Sequence, residues 1–256
     1  MMTKPGKIPQ SGYGEAIGII VAKIWYPALM RGHHNYGATY DFPIRIKLID
    51  DWVRVPTEKR ELPQWNVPEF IRCAKELEGE GVAAITTYCG MTGSIQEDLT
   101  EVLDIPVFTS NLLQVPFVSR IIGKKKRVGI LTASSEMILK ENKKTLRRCG
   151  IDETIPIAVK GMEESDYVDI WRTQYCLDPQ KELDKSKYEP GKVEKALVKV
   201  TEELISEYPD IGAMVLECTE MPIYAKAIHE AIGLLVFDSA DLVRYVHSAV
   251  NKITYS

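Results

Sequence analysis

Residues 82–89 read VAAITTYC and residues 211–218 read IGAMVLEC, and the two stretches align without a gap when the chain is shifted by 129 positions. The shift places Cys89 on Cys218. Each stretch is a short apolar run of the length expected for a buried strand, and a cysteine stands at its end. The repeat predicts two equivalent β–α–β lobes, each with one cysteine just beyond an equivalent strand.

The correspondence extends beyond these two strands. Residues 82–110 align with residues 211–239, and identical residues recur at the next strand of each lobe. The matched pairs are Val107 and Val236, Phe108 and Phe237, and Ser110 and Ser239. This agreement favours a true internal repeat over a chance similarity of two apolar strands.

Apolar runs alternate with segments of helical periodicity along the whole chain. Strands are predicted at Ala16–Ile24, Ile44–Ile49, Val82–Thr87, Pro106–Thr109, Val128–Leu131, Ile155–Val159, Ile211–Leu216 and Leu234–Phe237. Helices are predicted at Pro68–Glu80, Ile95–Leu103, Ser135–Cys149, Lys192–Tyr208, Tyr224–Ile232 and Asp241–Ile253. Strands separated by helices require parallel pairing through crossover connections. We predict an α/β fold of two pseudo-symmetric lobes, each a mostly parallel sheet flanked by helices, with the active-site cleft between them.

The lobe boundaries follow from the same pattern. The first α/β lobe is predicted over residues 14–122, and the C-terminal helix, residues 240–256, is predicted to join it. The second lobe is predicted over residues 123–239. Glycine, proline and charged residues crowd residues 178–191, which predicts a surface insertion there.

Composition excludes several classes of protein. The 256 residues are 45% hydrophobic and 27% charged, as in a globular protein, and the net charge of −4 argues against a nucleic-acid partner. The longest apolar stretch, Ala16–Ala22, is shorter than the ~20 residues of a membrane span. The first ten residues lack a signal-peptide pattern, and the five cysteines are odd in number and widely spaced. We therefore predict a reduced, cytoplasmic protein with no membrane partner.

The two repeated cysteines are the candidate catalytic residues. Ligands of open parallel sheets bind beyond the carboxyl ends of the strands, so Cys89 and Cys218 are predicted to converge on one cleft. Backbone N–H groups beside Cys89 are predicted at Gly90, Met91, Thr92 and Gly93, and Thr219 is predicted to cap the helix after Cys218. A helix N-terminus lowers a thiol pKa and binds carboxylates, so a thiolate near neutral pH is expected.

Two thiols on opposite faces of one carbon suit proton transfer without a cofactor. One thiolate removes a proton next to a carboxylate, and the other thiol returns a proton from the opposite face. The sequence has no His-x-x-x-His or Cys-x-x-Cys spacing, and no Gly-x-Gly-x-x-Gly follows a strand. We therefore predict no cofactor and no metal.

The chain resembles the aspartate/glutamate racemase superfamily, which includes hydantoin racemases, maleate isomerases and arylmalonate decarboxylases. The motifs that carry the resemblance are Gly81–Gly90 (GVAAITTYCG), Pro106–Gln114 (PVFTSNLLQ), Val128–Ala133 (VGILTA), Leu216–Pro222 (LECTEMP) and Val236–Ser239 (VFDS). The resemblance implies a two-lobe α/β fold, a cofactor-independent cysteine pair in a cleft between the lobes, and a homodimer.

The resemblance also assigns roles to residues. Cys89 and Cys218 match the catalytic cysteines, and Thr219 matches the position that holds a substrate carboxylate. Thr132, Ala133 and Ser134 match a loop that contacts substrate in this family, with Thr109 and Ser110 as further candidates. Gly90, Met91 and Thr92 are predicted to bind substrate because their backbone N–H groups lie beside Cys89. Glu220 is predicted either to hold a substrate ammonium or to orient its loop.

Two histidines and three cysteines have simpler interpretations. His33 and His34 follow Arg31 and Gly32 in the loop after the first strand, and an exposed loop pair is expected, with gating or assistance to a thiol as the alternative. The other cysteines, Cys73, Cys149 and Cys176, are interpreted as packing residues.

The sequence therefore predicts a cofactor-independent racemase for a small carboxylate, most simply an acidic amino acid such as aspartate or glutamate. Cys89 and Cys218 are its predicted acid/base pair. One alternative keeps the fold and changes the reaction, to a maleate cis–trans isomerase or a hydantoin racemase. The other is a non-catalytic protein that binds a small carboxylate.

Overall fold

Within the residues that the structure describes, eight strands form two sheets. The computed structural model describes residues 16–23, 26, 28–50, 65–123, 125–174 and 185–252. The strands are β1 (Ile17–Ala22), β2 (Ile44–Ile49), β3 (Ala84–Thr87), β4 (Val107–Phe108), β5 (Arg127–Thr132), β6 (Ile157–Gly161), β7 (Ile211–Leu216) and β8 (Leu235–Phe237). All eight predicted strands are confirmed, with ends that differ by at most two residues among the described positions.

The strand order is the same in both sheets. The first sheet runs β2-β1-β3-β4 and the second β6-β5-β7-β8, and every pairing is parallel. Thus β3 and β7, which precede Cys89 and Cys218, occupy equivalent places. The predicted two-lobe α/β architecture is confirmed.

Eight α-helices accompany the sheets within the described residues. They are α1 (Val67–Gly79), α2 (Gln96–Thr100), α3 (Val115–Ile122), α4 (Ser135–Arg148), α5 (Val168–Trp171), α6 (Pro190–Glu207), α7 (Ala225–Ile232) and α8 (Ser239–Val250). The helix predicted at Ile95–Leu103 is a 3₁₀ turn at Gly90–Ile95 followed by the short α2. The helices α3 and α5 were not predicted, because α3 is apolar nearly throughout and α5 has a single turn.

Some predicted positions lie outside the described residues. They are residues 14 and 15 of the first lobe, Ile24 at the end of the first strand, residues 178–184 of the insertion, Cys176, and residues 253–256. Within the described residues, no helix combines the length and apolar composition needed to cross a membrane.

Helices cover both faces of each sheet, which explains the continuous apolar strands. All six residues of β1 and all six of β7 are buried. Strands of parallel sheets read as uninterrupted apolar runs because neither face meets water. This arrangement leaves polar side chains at the strand ends, where the loops of the two lobes meet.

The last helix returns the chain to the first sheet. In α8, the ring of His247 stacks on Phe42 with ring centroids 3.6 Å apart, and Arg244 Nη2 donates to Thr39 O at 3.0 Å. Ala240 and Val243 pack in the apolar core that contains β1 and β3. The helix therefore covers the first lobe although it follows the second in the chain.

Candidate active site

Cys89 and Cys218 lie at the carboxyl ends of equivalent strands. Each cysteine stands two residues beyond its strand, β3 or β7, and both are partly exposed. The hydroxyl of Thr219 donates to the carbonyl oxygen of Tyr88, so the residues beside the two cysteines are in direct contact.

A tight turn positions Cys89. Cys89 is the residue before the 3₁₀ turn Gly90–Ile95, and the N–H of Thr92 donates to its carbonyl oxygen at 3.1 Å. The wholly buried hydroxyl of Thr92 lies within hydrogen-bonding distance of Cys89 O and donates to Thr109 O at 2.9 Å. Thr92 therefore holds the turn, and its hydroxyl is not available to a substrate.

The expected lowering of the thiol pKa is wrong. Burial, and then the charge of Glu217, raise the pKa of both Cys89 and Cys218 above the ordinary thiol value. Backbone N–H groups of Met91, Thr92 and Glu220 lower these pKa values, but their effect is smaller. The turns after the cysteines are 3₁₀ segments of four to six residues, so their dipoles do not offset desolvation.

Glu217 was not predicted as a site residue, yet it stands between β7 and Cys218 with 1% of its surface exposed. Its Oε2 accepts from Thr132 Oγ1 at 2.8 Å, and the N–H of Ala133 also donates to the carboxylate. Burial raises the pKa of Glu217 to about 7 against these two bonds, which lower it. The polar groups of Thr132 and Ala133 therefore interact with the Glu217 carboxyl group.

Two close approaches join the lobes beside Glu217. A Cβ atom added to Gly90 would lie 2.2 Å from Glu217 Oε1 and 2.5 Å from Glu217 O, so only glycine fits there. Asn111 Nδ2 donates to Leu216 O at 2.6 Å. The turn after Cys89 and the strand end before Cys218 are therefore held in one arrangement.

Glu220 lies on the other side of Cys218 and is also buried. Its Oε1 accepts from the hydroxyl of Tyr26 at 3.0 Å, and its Oε2 lies 3.4 Å from His33 Nε2. Burial raises the pKa of Glu220 to about 7, and the Tyr26 bond lowers it. Glu220 is therefore a second buried carboxyl group next to Cys218, in contact with the loop after β1.

The expectation of an exposed His33–His34 pair is wrong. The residues are 1% and 3% exposed, and burial lowers the pKa of His33 and brings that of His34 to about 4. Their loop packs on the second lobe at Gly32, whose φ is +108° and whose added Cβ would lie 2.9 Å from Ile223 Cα. Residues of the opposite lobe bury this loop, so the sequence around the histidines gives no sign that they are buried.

The remaining candidates hold structure through their side chains. Ser134 caps α4 by accepting from Met137 N at 3.3 Å, and its hydroxyl donates to Glu163 Oε1 at 3.0 Å. Ser110 accepts from Leu112 N, and Thr109 donates to Gln96 Oε1 through its N–H and its hydroxyl. Thr219 does not cap a helix, because its hydroxyl donates across the lobes instead. Gly90 and Met91 are buried in the turn.

The residues missed by sequence reasoning are Glu217, Tyr26 and Asn111. Glu217 gave one signal, since it is a charged residue in the apolar run before Cys218. Tyr26 gave none, because its contact with Glu220 spans 194 positions of the sequence. Asn111 contacts a strand more than a hundred positions away.

Two carboxyl groups lie beside the thiols. The charges of Glu217 and Glu220 raise the pKa of both Cys89 and Cys218. The described residues also contain no group of three or more His, Cys, Asp or Glu side chains suited to a metal ion. The arrangement offers two thiols for proton transfer and two carboxyl groups beside them.

The fold is that of the racemase class. A model of the Asp/Glu/Hydantoin racemase family matches residues 56–243, and the chain belongs to this family. An aspartate racemase homologue from Pyrococcus horikoshii OT3 has a TM-score of 0.59 with 18% identity and covers 92% of this chain and 99% of its own. Unliganded arylmalonate decarboxylase has a TM-score of 0.54 with 14% identity and covers 94% of this chain and 95% of its own.

The curated proteins with similar sequences are named as lyases, not as racemases. Dimethylsulfoniopropionate lyase 7 of Emiliania huxleyi is 26% identical over 231 residues, which are 88% of this chain and 64% of that protein. A dimethylsulfoniopropionate lyase of Durusdinium sp. clade D is 24% identical over 244 residues, which are 92% of this chain and 74% of that protein. This chain therefore spans about two thirds to three quarters of the length of these relatives.

Proposed function

We propose that this chain is a cofactor-independent enzyme that removes a proton from the carbon next to a substrate carboxylate, with Cys89 and Cys218 as the proton-transferring groups. The observation that carries the proposal is the placement of both thiols at the ends of equivalent strands, with Thr219 bonded to Tyr88 between them. Backbone N–H groups near each sulfur lower the pKa of the thiol and so favour the thiolate that takes the proton, against the larger effect of burial.

The negative surroundings favour a substrate with a positive charge. An acidic amino acid carries a net charge of −1 and would add it to a site with Glu217 and Glu220 nearby. Two like charges 4 Å apart repel by about 4 kcal/mol at an effective dielectric constant of about 20. A zwitterion with no net charge avoids this cost, and Glu220 beside Tyr26 is suited to its cationic end.

We propose β-elimination from a sulfonium propionate as the reaction, in line with the names of the relatives. Dimethylsulfoniopropionate is such a zwitterion, with a sulfonium on the carbon next to the one that loses the proton. A cysteine thiolate takes the proton from C2, the C2 electrons form the double bond, and the C3–S bond breaks. The products are acrylate, neutral dimethyl sulfide and a protonated thiol, so atoms and charge balance.

The substrate's charge also explains how a thiol of raised pKa becomes reactive. Glu217 and Glu220 raise the pKa of both thiols by their negative charge. A sulfonium bound beside Glu220 offsets part of that charge, so the thiols ionise more readily when the substrate is present. The reactive thiolate then forms chiefly in the complex.

Racemisation of an acidic amino acid is the second candidate. The equivalence of the two cysteines favours it, because inversion needs an acid and a base that exchange roles between enantiomers. Elimination needs only one base. The two reactions share the first proton transfer and differ in the fate of the carbanion.

Proton NMR in heavy water tests the proposal. The protein is incubated separately with dimethylsulfoniopropionate, aspartate, glutamate, hydantoins and maleate, beside a Cys89→Ser/Cys218→Ser double variant. Vinyl signals of acrylate with the native protein alone are the expected result. Loss of the amino-acid α-proton signal would instead establish the racemase, and conversion of maleate to fumarate the isomerase. Silence with every compound would contradict the proposal and favour a binding protein.

Glu220→Gln tests the cation subsite. The amide keeps the shape of the side chain and still accepts from Tyr26, but it removes the charge that faces the sulfonium. We expect KM for the sulfonium substrate to rise about tenfold to a hundredfold, equivalent to the ~1.5–3 kcal/mol of a charged contact, with a smaller change in kcat. Steady-state kinetics measures both constants.

A matched control comes from Glu202→Gln. Glu202 is an exposed carboxylate of α6 paired with Lys199 at 4.0 Å, so its change should leave KM within about twofold. If KM is unchanged in Glu220→Gln, Glu220 does not bind the cationic group of the substrate.

Cytoplasmic location and homodimer formation stay predictions from the sequence. Light scattering of the purified protein tests whether it forms a dimer.

A further inference from the structure

Within the part of the chain that the structure describes, only one of the two carboxyl oxygens of Glu217 has a hydrogen-bond partner, and that partner lies in the second lobe. Its Oε2 accepts from the Thr132 hydroxyl at 2.8 Å, and its backbone N–H donates to Leu131 O at 2.8 Å. These bonds attach Glu217 to the end of β5, the central neighbour of β7. The side chain therefore has a fixed direction.

The other side of the same carboxyl group faces the first lobe. Its Oε1 is buried and has no hydrogen-bond partner among the described residues. An added Cβ at Gly90 would lie 2.2 Å from this oxygen, which places it against the turn that begins at Cys89. A carboxylate oxygen with no donor is costly to bury, so its position between the cysteine-bearing segments calls for a role.

We propose that Glu217 is a positioning residue whose carboxyl group, packed between the turn after Cys89 and the strand end before Cys218, keeps both thiols protonated until substrate binds. The inference deepens the proposed function and rests on it for its catalytic meaning. Glu217 immediately precedes Cys218 and contacts the residue that immediately follows Cys89, so one carboxyl group acts on both sides of the reacting carbon.

The charges around the thiols support this role. After burial, Glu217 makes the largest contribution that raises the pKa of each of the two cysteines. The carboxyl group has a raised pKa of about 7, so it is partly ionised near neutral pH. The other titratable groups that face the pair or Glu217 are Tyr26 and His33 from the loop after β1, Tyr88 after β3, Cys149 at the end of α4, Glu163 after β6, and Glu220.

Glu217→Gln separates the charge from the geometry. The glutamine oxygen replaces Oε2 and accepts the Thr132 hydroxyl and the Ala133 N–H, while its neutral amide nitrogen takes the place of Oε1. Loss of the charge should lower the pKa of both thiols by about one unit, within the range known for neighbouring charges. A purely structural residue would leave these pKa values unchanged as long as the variant folds.

The test is the pH dependence of iodoacetamide alkylation, measured peptide by peptide with mass spectrometry in the absence of substrate. At pH 8 we expect Cys89 and Cys218 to react about tenfold faster in Glu217→Gln than in the native protein, as one pKa unit corresponds to tenfold more thiolate. Glu202→Gln is the control, with rates within about twofold of native. Unchanged rates at both cysteines would overturn the proposal.

Thr132→Val serves as a second variant in case Glu217→Gln does not fold. The Thr132 bond lowers the pKa of Glu217, so its loss makes the carboxyl group harder to ionise and should raise both alkylation rates severalfold at pH 8. A decrease, or no change, would count against the charge effect. Because no substrate is present, this result is independent of whether the chain eliminates a sulfonium or racemises an amino acid.

Discussion

Cys89→Ala and Cys218→Ala are expected to produce the largest losses of activity. A positioned acid or base contributes about 10²–10⁴-fold to a rate, and no other side chain described at the site has the position of either thiol. If the reaction is an elimination, the variant that lacks the cysteine acting as base should have a kcat at least about a thousandfold lower. The variant that lacks the other cysteine should have a smaller decrease in kcat. The vinyl signals of acrylate measure both rates.

The pattern of the two variants distinguishes the candidate reactions. A racemase needs both thiols to complete inversion, so each single variant should abolish it while one enantiomer still exchanges its α-proton. Cys73→Ala is the matched control, because Cys73 is a fully buried residue of α1 and is not part of the site. Full activity in both Cys89→Ala and Cys218→Ala would refute the cysteine mechanism.

Gly90→Ala is expected to have the second largest effect. The new methyl group would lie 2.5 Å from Glu217 O and 2.2 Å from Glu217 Oε1. The backbone oxygen cannot withdraw easily, because Glu217 continues the pairing of β7 with β5 through its N–H bond to Leu131 O. The turn that carries Cys89 must move instead, and a displacement of about 1 Å costs about a hundredfold in rate.

The same substitution should reduce stability. Forcing a methyl group into a filled space costs about 1–3 kcal/mol, which thermal unfolding detects as a lower Tm. Gly79→Ala is the matched control, since an added Cβ there has nothing within 4 Å and a helical alanine stabilises by about 0.5–1 kcal/mol over glycine. A Gly90→Ala protein with native kcat/KM and Tm would show that the lobes can separate at this point.

The sequence predicts the architecture well because the repeat and the apolar strands are local signals. Buried parallel strands such as β1 and β7 are recognisable from their own residues, and the two cysteines follow from the alignment of one lobe on the other. The short α2 is shorter than predicted because the turn after Cys89 is wound as a 3₁₀ segment. The spacing of apolar residues in the sequence does not distinguish a 3₁₀ turn from an α-helix.

The candidate site was predicted less completely because its contacts are between lobes. His33 is buried by Tyr26 and by Glu220, and none of the three predicts the others from sequence spacing. The thiol pKa values were expected to fall because N–H donors are visible in a sequence pattern. Burial is visible only in the packed structure, and here it dominates.

The path of α8 has a consequence for the order in which the protein is completed during synthesis. A nascent chain emerges from its N-terminus at about 5–20 residues per second, so β1–β4 leave the ribosome well before Ala240 and Val243, which pack in the apolar cluster around β1 and β3. That cluster also contains Val128 and Val215 of the second sheet. The apolar surface of the first sheet is therefore fully covered only after the second sheet and α8 have been synthesised.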